Sequence, residues 1–161
     1  MIWKDEQKYD KIIDGMALGY GVPAPLIKAV IAKESSFNPR AMKTELQIQD
    51  ASRGLMQVLA RTARALGFRE DIEKLYDPAL NILYGTKLLK ENLERTKGNI
   101  AQAVAAYNAG WKWFVKKQPI PNQEYVDYIN VYTAYFAGRL PASDVKAFQR
   151  SKIMPKATLF F

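Results

Sequence analysis

The chain contains neither cysteine nor histidine in its 161 residues. Without cysteine there are no disulfides, no thiolate nucleophile and no redox couple. Without histidine, Ser-His-Asp triads, Cys-His pairs, the usual zinc sites and the common neutral-pH base are all excluded. Acid–base chemistry falls to Asp, Glu, Lys and Tyr, and neither a metal nor another cofactor is expected. No run of about 18 apolar residues occurs, so no transmembrane helix is predicted. Residues 1–20 carry acids and no long apolar run, and do not read as a signal peptide.

What remains is a globular composition, with 48% hydrophobic, 12% aromatic and 25% charged residues. The length fits one domain, expected to span 1–161. A chain of this size buries roughly 70% of its unfolded surface and needs no staples. The net charge is +8, from 24 Lys and Arg against 16 Asp and Glu. A basic surface suits a polyanion: nucleic acid, anionic lipid or the acidic bacterial wall. The basic residues are spread along the chain without a nucleic-acid motif, so nucleic acid is not the expected partner.

Helical periodicity dominates and no stretch sustains period-2 alternation. Tyr9, Ile13, Met16 and Tyr20 share one helix face, stopped by Gly21. A second helix starts at Pro25 and breaks at Asn38-Pro39, and a third is predicted over 55–66 before Gly67. Asp77-Pro78 is an N-cap with proline at the first helical position, opening a helix that runs to about Thr96. Asn99 caps the next helix, which Gly110 closes, and Asn122 opens another carrying Tyr125, Tyr128, Ile129, Tyr132 and Phe136. Ser143 is expected to cap a last short helix. Residues 40–53 and 111–121 lack periodicity and read as long loops, the kind that often carries function. The fold class is all-α.

On the helix from Pro25, Ile27, Val30 and Ile31 form the apolar face, and Glu34 falls on that face. Lys28 and Lys33 are expected to point elsewhere. An inward carboxyl near a helix C-terminus is pushed toward its neutral form by desolvation and by the helix dipole. A neutral carboxyl is what protonation of a glycosidic oxygen requires. Most glutamates at helix ends simply reach solvent, so residues further along must decide.

Three short motifs supply that decision: Glu34-Ser35, then Gly54-Leu55-Met56-Gln57, then Ala106-Tyr107-Asn108-Ala109-Gly110. Phe37-Asn38-Pro39, Thr62-Ala63, Leu66-Gly67 and Leu75-Tyr76-Asp77-Pro78 accompany them. In this order and spacing the chain resembles the soluble-type lytic transglycosylases, relatives of goose-type lysozyme, over roughly residues 10 to 136. The resemblance implies a lysozyme-like helical fold with a substrate groove, acting on peptidoglycan. Glu34 would be the catalytic acid, with Ser35 shaping the site beside it. Met56 and Gln57 would line the saccharide groove, Gln57 through its amide. Tyr107 and Asn108 would lie close to Glu34, and Tyr125 would stand beside the acid. Taken singly, Met56 fits core filling, Asn108 a helix C-cap and Tyr107 and Tyr125 buried aromatics.

By the same resemblance, Glu34 would cleave the N-acetylmuramic acid–N-acetylglucosamine bond and then act as base, closing a 1,6-anhydro ring. Hydrolysis with water is the alternative, and it wants a second carboxylate. Leu59, two residues after Gln57, stands where goose-type enzymes carry an acid, while Asp50 remains a possible second carboxylate. A non-catalytic sugar binder is the reading outside enzymes, disfavoured by the intact Glu34, Gln57 and Asn108. The chain departs from the family at Pro121 and Asn122, where a Glu-Thr pair usually precedes the Tyr-Val of Tyr125-Val126. The expected partners are glycan strands and the anionic bacterial surface, met by a monomer in the periplasm or outside the cell. A phage lysin, a virion-associated enzyme or a domain of a larger transglycosylase would each fit.

Overall fold

The computed structural model describes residues 1–116 and 122–156, except for the side chains of Trp113 and Lys116. Helix α1 covers Asp10–Tyr20 and ends at Gly21, whose φ of 65° is left-handed. Helix α2 covers Ala24–Ser35 with Pro25 in its first turn. Leu26, Ile27, Ala29, Val30, Ile31 and Ala32 are all buried, so α2 is covered on every side and forms the axis of the fold. Its main neighbour is α7 (Gln123–Phe136), whose buried face includes Tyr125, Tyr128, Ile129 and Tyr132. Between them in sequence lie α4 (Pro78–Arg95), α5 (Ile100–Ala109) and the short α6 (Trp111–Lys116). Helix α8 (Ala142–Ser151) follows α7 and packs back on it through Val145 and Phe148.

The capping chemistry predicted for α4 and α5 is present. Asp77 Oδ1 accepts from Leu80 N at 2.9 Å, and Asn99 Oδ1 accepts from Gln102 N at 3.0 Å. The N-terminal segment is tied down by Glu6, which accepts from Ile2 N (2.8 Å), Trp3 N (3.0 Å) and the Tyr135 hydroxyl (2.9 Å). No helix among the described residues is long and apolar enough to cross a membrane.

Four sequence expectations are corrected. Residues 40–53 are not a loop: β1 (Met42–Glu45) and β2 (Asp50–Arg53) pair antiparallel, Met42 opposite Arg53 and Glu45 opposite Asp50. A third strand, β3 (Val58–Leu59), pairs with β2, so an otherwise helical fold carries a small sheet. The helix predicted over 55–66 shrinks to α3 (Ala60–Ala65), because the chain reverses at 54–57 and enters β3 first. Ser143 lies inside α8, which is preceded by Pro141. Part of the predicted loop 111–121 is α6, and the remainder, with Pro121, lies outside the described residues.

Candidate active site

The turn at residues 54–57 is where the three sequence motifs meet. Gly54 (φ 76°) and Gln57 (φ 50°) both adopt left-handed backbone, giving a tight reversal between β2 and β3. Four successive carbonyls in this stretch each accept from a side chain. Asn81 Nδ2 donates to Arg53 O at 2.7 Å, and Gln57 Nε2 to Gly54 O at 2.9 Å. Ser35 Oγ donates to Leu55 O at 2.7 Å, and Tyr107 Oη to Met56 O at 2.7 Å. Asn81 completes its set by accepting from Met56 N and donating to Leu75 O, both at 2.7 Å. A paired buried group contributes about 1 kcal/mol, and orphaning it costs more. The turn is thereby held to α2, α4 and α5 at once.

Glu34 precedes Ser35, so the bond from Ser35 to the turn also sets where Glu34 emerges. Its carboxyl reaches a cleft of about 300 Å³ whose lining includes Lys43, Glu45, Ser52, Gln57, Leu59, Tyr107 and Asn108. Tyr125 Oη donates to Glu34 Oε1 at 2.6 Å. Burial raises the Glu34 pKa above the ordinary carboxyl value. The Tyr125 hydrogen bond and the Lys33 and Lys43 ammoniums oppose that rise without cancelling it, and Glu45 adds to it. Burial also raises the phenols of Tyr107 and Tyr125 well above their usual value, reinforced by the nearby Glu34 charge. Both phenols therefore remain protonated donors at any ordinary pH.

The residues singled out from sequence divide into two groups. Glu34, Gln57, Tyr107 and Asn108 line one cleft, and Tyr125 touches Glu34 from behind. Met56 does not line it: the side chain is fully buried, and a Cβ on Gly85 would lie 2.4 Å from its sulfur. Ser35 acts through its bond to Leu55 O rather than from the cleft wall. Gln57 is in the wall, but its amide nitrogen is committed to Ala41 O (3.0 Å) and Gly54 O. Its Oε1 accepts from Ser52 Oγ at 3.0 Å, leaving one lone pair for a ligand. Asn108 Oδ1 accepts from Asn122 Nδ2 at 2.8 Å, and Asn108 lines the cleft.

Asp50 is not in the cleft. Its carboxylate accepts from Ala51 N (2.7 Å) and Arg61 N (3.1 Å), with Arg61 Nε at 3.6 Å and Arg53 Nη1 at 3.8 Å. It fastens the loop end of the hairpin to α3. The acid that does share the cleft with Glu34 is Glu45, paired to Lys43 at 3.0 Å. Lys43 and Glu45 were not singled out as site residues, though their i,i+2 spacing places both on one face of a strand. Lys33 was expected to point away, yet its Nζ lies 3.7 Å from the Tyr128 ring centroid. Among the described residues no cluster of acids could hold a metal ion.

A mostly helical, lysozyme-like fold with a carboxylic acid over a polar cleft defines the class. The family model of the Transglycosylase SLT domain matches residues 11–125, and the chain belongs to that family. It is 35% identical over 107 residues to the transglycosylase of Enterobacteria phage PRD1, covering 65% of this chain and 37% of the phage protein. It is 33% identical over 110 residues to Protein IpgF of Shigella flexneri, covering 65% of this chain and 69% of IpgF. The fold is similar to that of the lytic transglycosylase Slt of Pseudomonas aeruginosa, at TM-score 0.67 and 22% identity, over 81% of this chain and 24% of that one. The chain thus spans about a third of the phage relative and about two thirds of IpgF.

Proposed function

We propose that this chain is a peptidoglycan lytic transglycosylase in which Glu34 serves first as acid and then as base. Glu34 protonates the oxygen joining N-acetylmuramic acid to N-acetylglucosamine, and the β-1,4 C1–O bond breaks. The acetamido oxygen of the muramic acid stabilises the cationic C1. Glu34, now a carboxylate, accepts the proton of the C6 hydroxyl while that oxygen bonds to C1, closing the 1,6-anhydro ring. Glu34 ends as it began and no water is consumed. The observation that carries this reading is a carboxyl with a raised pKa, aimed into a cleft and held at 2.6 Å by Tyr125. Asn108, in the same cleft, carries an amide suited to the N-acetyl group. The net charge of +8 favours encounter with an anionic wall, an attraction that salt should weaken.

Mass spectrometry of fragments released from purified peptidoglycan tests the reading. Fragments ending in 1,6-anhydro-muramic acid, one water lighter than reducing ends, are expected. Reducing ends would make the enzyme a hydrolase. Asp50 is engaged by Arg61 and Arg53 and Leu59 presents an apolar wall, so the water-activating acid would then be Glu45. Absence of any fragment would remove the activity altogether.

The hydroxyl of Tyr125 has a readable role. It favours the carboxylate of Glu34, so Tyr125→Phe should raise the Glu34 pKa further. Activity needs the protonated form and falls as pH rises through that pKa. The alkaline limb of the kcat/KM profile should therefore move to higher pH in the variant. The maximal rate should fall roughly tenfold for loss of one charge-assisted bond that orients the acid. A limb that stays put or moves down would dissociate Tyr125 from Glu34.

A further inference from the structure

Glu34 sits in the last turn of α2, and the chain that follows it is strained. Ser36 (φ 51°) and Phe37 (φ 65°) are both left-handed, and neither is glycine. Two such residues in succession persist only where the surroundings hold them. Ser36 N donates to Ala32 O at 3.1 Å and Asn38 N to Ser35 O at 3.0 Å, which shapes the exit locally. The Ser35 bond to Leu55 O braces it from the side of the catalytic cleft. Phe37 braces it from elsewhere, because its ring is buried to 1% exposure.

What buries Phe37 is an aromatic box. Its ring centroid lies 6.0 Å from that of Trp3 and 6.0 Å from that of Phe136, edge-on to the latter. Trp3 closes the box: it stacks on Phe136 at 5.5 Å and meets Tyr132 edge-on at 4.8 Å and Tyr135 at 6.1 Å. Glu6, itself buried, holds Trp3 in place by accepting from Trp3 N with one oxygen and from the Tyr135 hydroxyl with the other. Tyr132, Tyr135 and Phe136 end α7, the helix whose first turn carries Tyr125. Trp3 therefore touches both the segment that leaves Glu34 and the helix that supplies its hydrogen-bond partner.

We infer that Trp3, clamped by Glu6, is a positioning residue for Glu34: it locks the left-handed exit of α2 against the end of α7, so that Glu34 and Tyr125 meet. The inference rests on the reading of Glu34 as the catalytic acid. Trp3, Glu6, Tyr132, Tyr135 and Phe136 all lie outside residues 11–125, the part matched by the family. The support for the acid accordingly comes from both flanks of the shared frame. The glycan groove does not depend on it, since Gln57 and the hairpin hang from the turn at 54–57, which Asn81 and Tyr107 hold separately.

Trp3→Leu keeps apolar bulk but loses the ring contacts, and Trp3→Phe restores a ring. Carbon-13 NMR titration of the Glu34 carboxyl in the full chain reads the effect without turnover. Burial is the largest influence on Glu34, ahead of the Tyr125 bond, so a loosened exit should bring its pKa down toward the ordinary carboxyl value in Trp3→Leu. Trp3→Phe should titrate close to the parent. On peptidoglycan, Trp3→Leu should lower kcat roughly tenfold with KM little changed. Its alkaline limb should move to lower pH, opposite to Tyr125→Phe. Val145→Ala, which removes methyl groups buried on α8, should lower Tm and leave the Glu34 titration in place. An unmoved titration in Trp3→Leu, a rise in KM in place of the kcat loss, or the same shift in Val145→Ala would each overturn the inference. Failure of the catalytic reading looks different: the titration would move while the parent chain releases no glycan fragment.

Discussion

Glu34→Gln should abolish glycan cleavage while leaving the protein folded and slightly more stable at neutral pH. Loss of a general acid usually lowers rate on the order of 10²–10⁴-fold. The upper part of that range is expected here, because the proposed cycle uses one carboxyl for both proton transfers. Glutamine keeps the shape and the Oε1 that accepts from Tyr125, so binding of glycan should survive. Stability should move the other way. The folded pKa of Glu34 is raised, so the folded state favours its protonated form. As pH rises from the ordinary carboxyl value through the raised one, ionising Glu34 costs the folded state stability. The amide removes that cost, so the variant's advantage should appear in this window, persist above it and vanish in acid. An inactive variant that is also much less stable would mean that Glu34 supports the fold, and its activity loss would say nothing about acid catalysis.

The parts of the molecule legible in the sequence are those whose signals are local. Helices α1, α4 and α5 carry their own end signals, Gly21, Asp77-Pro78 and Asn99, and each acts within one turn of chain. The hairpin has no such local signal. Its strand Met42–Glu45 is mostly exposed and its pairing with Asp50–Arg53 is decided by long-range contact. Residues 55–66 misread as helix because Leu55, Met56 and Val58 are buried by a turn held from three directions, which mimics helical spacing. In the cleft, the inward direction of Glu34 followed from its place on a buried helix face, while the three motifs, by resemblance, singled it out. The tasks of Met56 and Gln57 did not, since both are spent on holding the turn: one as core, the other as a bridge to Ala41 and Ser52. Glu45 and Lys43 reach the cleft only because the hairpin folds across it.

The turn also sets the second large effect, which glycine substitution should resolve. Gly54→Ala combines a left-handed φ of 76° with a Cβ 2.3 Å from Asn81 Nδ2 and 2.6 Å from Leu75 O. Neither neighbour can yield cheaply: Leu75 O is backbone, and Asn81 is fully buried with three hydrogen bonds to this region. Backbone strain, overpacking and a damaged network together should cost on the order of 3 kcal/mol. For a chain of this size that corresponds to roughly 6–12 °C in Tm. Gly21→Ala isolates the backbone part, because its φ is 65° but nothing lies within 4 Å of the added carbon. It should cost only about 1 kcal/mol. Gly15→Ala, inside α1 with open space around it, should instead stabilise by about 1 kcal/mol through helix propensity. Gly54→Ala should further lose cleavage at temperatures where it remains folded, since Gln57 and the hairpin wall hang from the same turn. If thermal denaturation placed Gly54→Ala level with Gly21→Ala, the Asn81 network would not be what holds the turn at 54–57 in place.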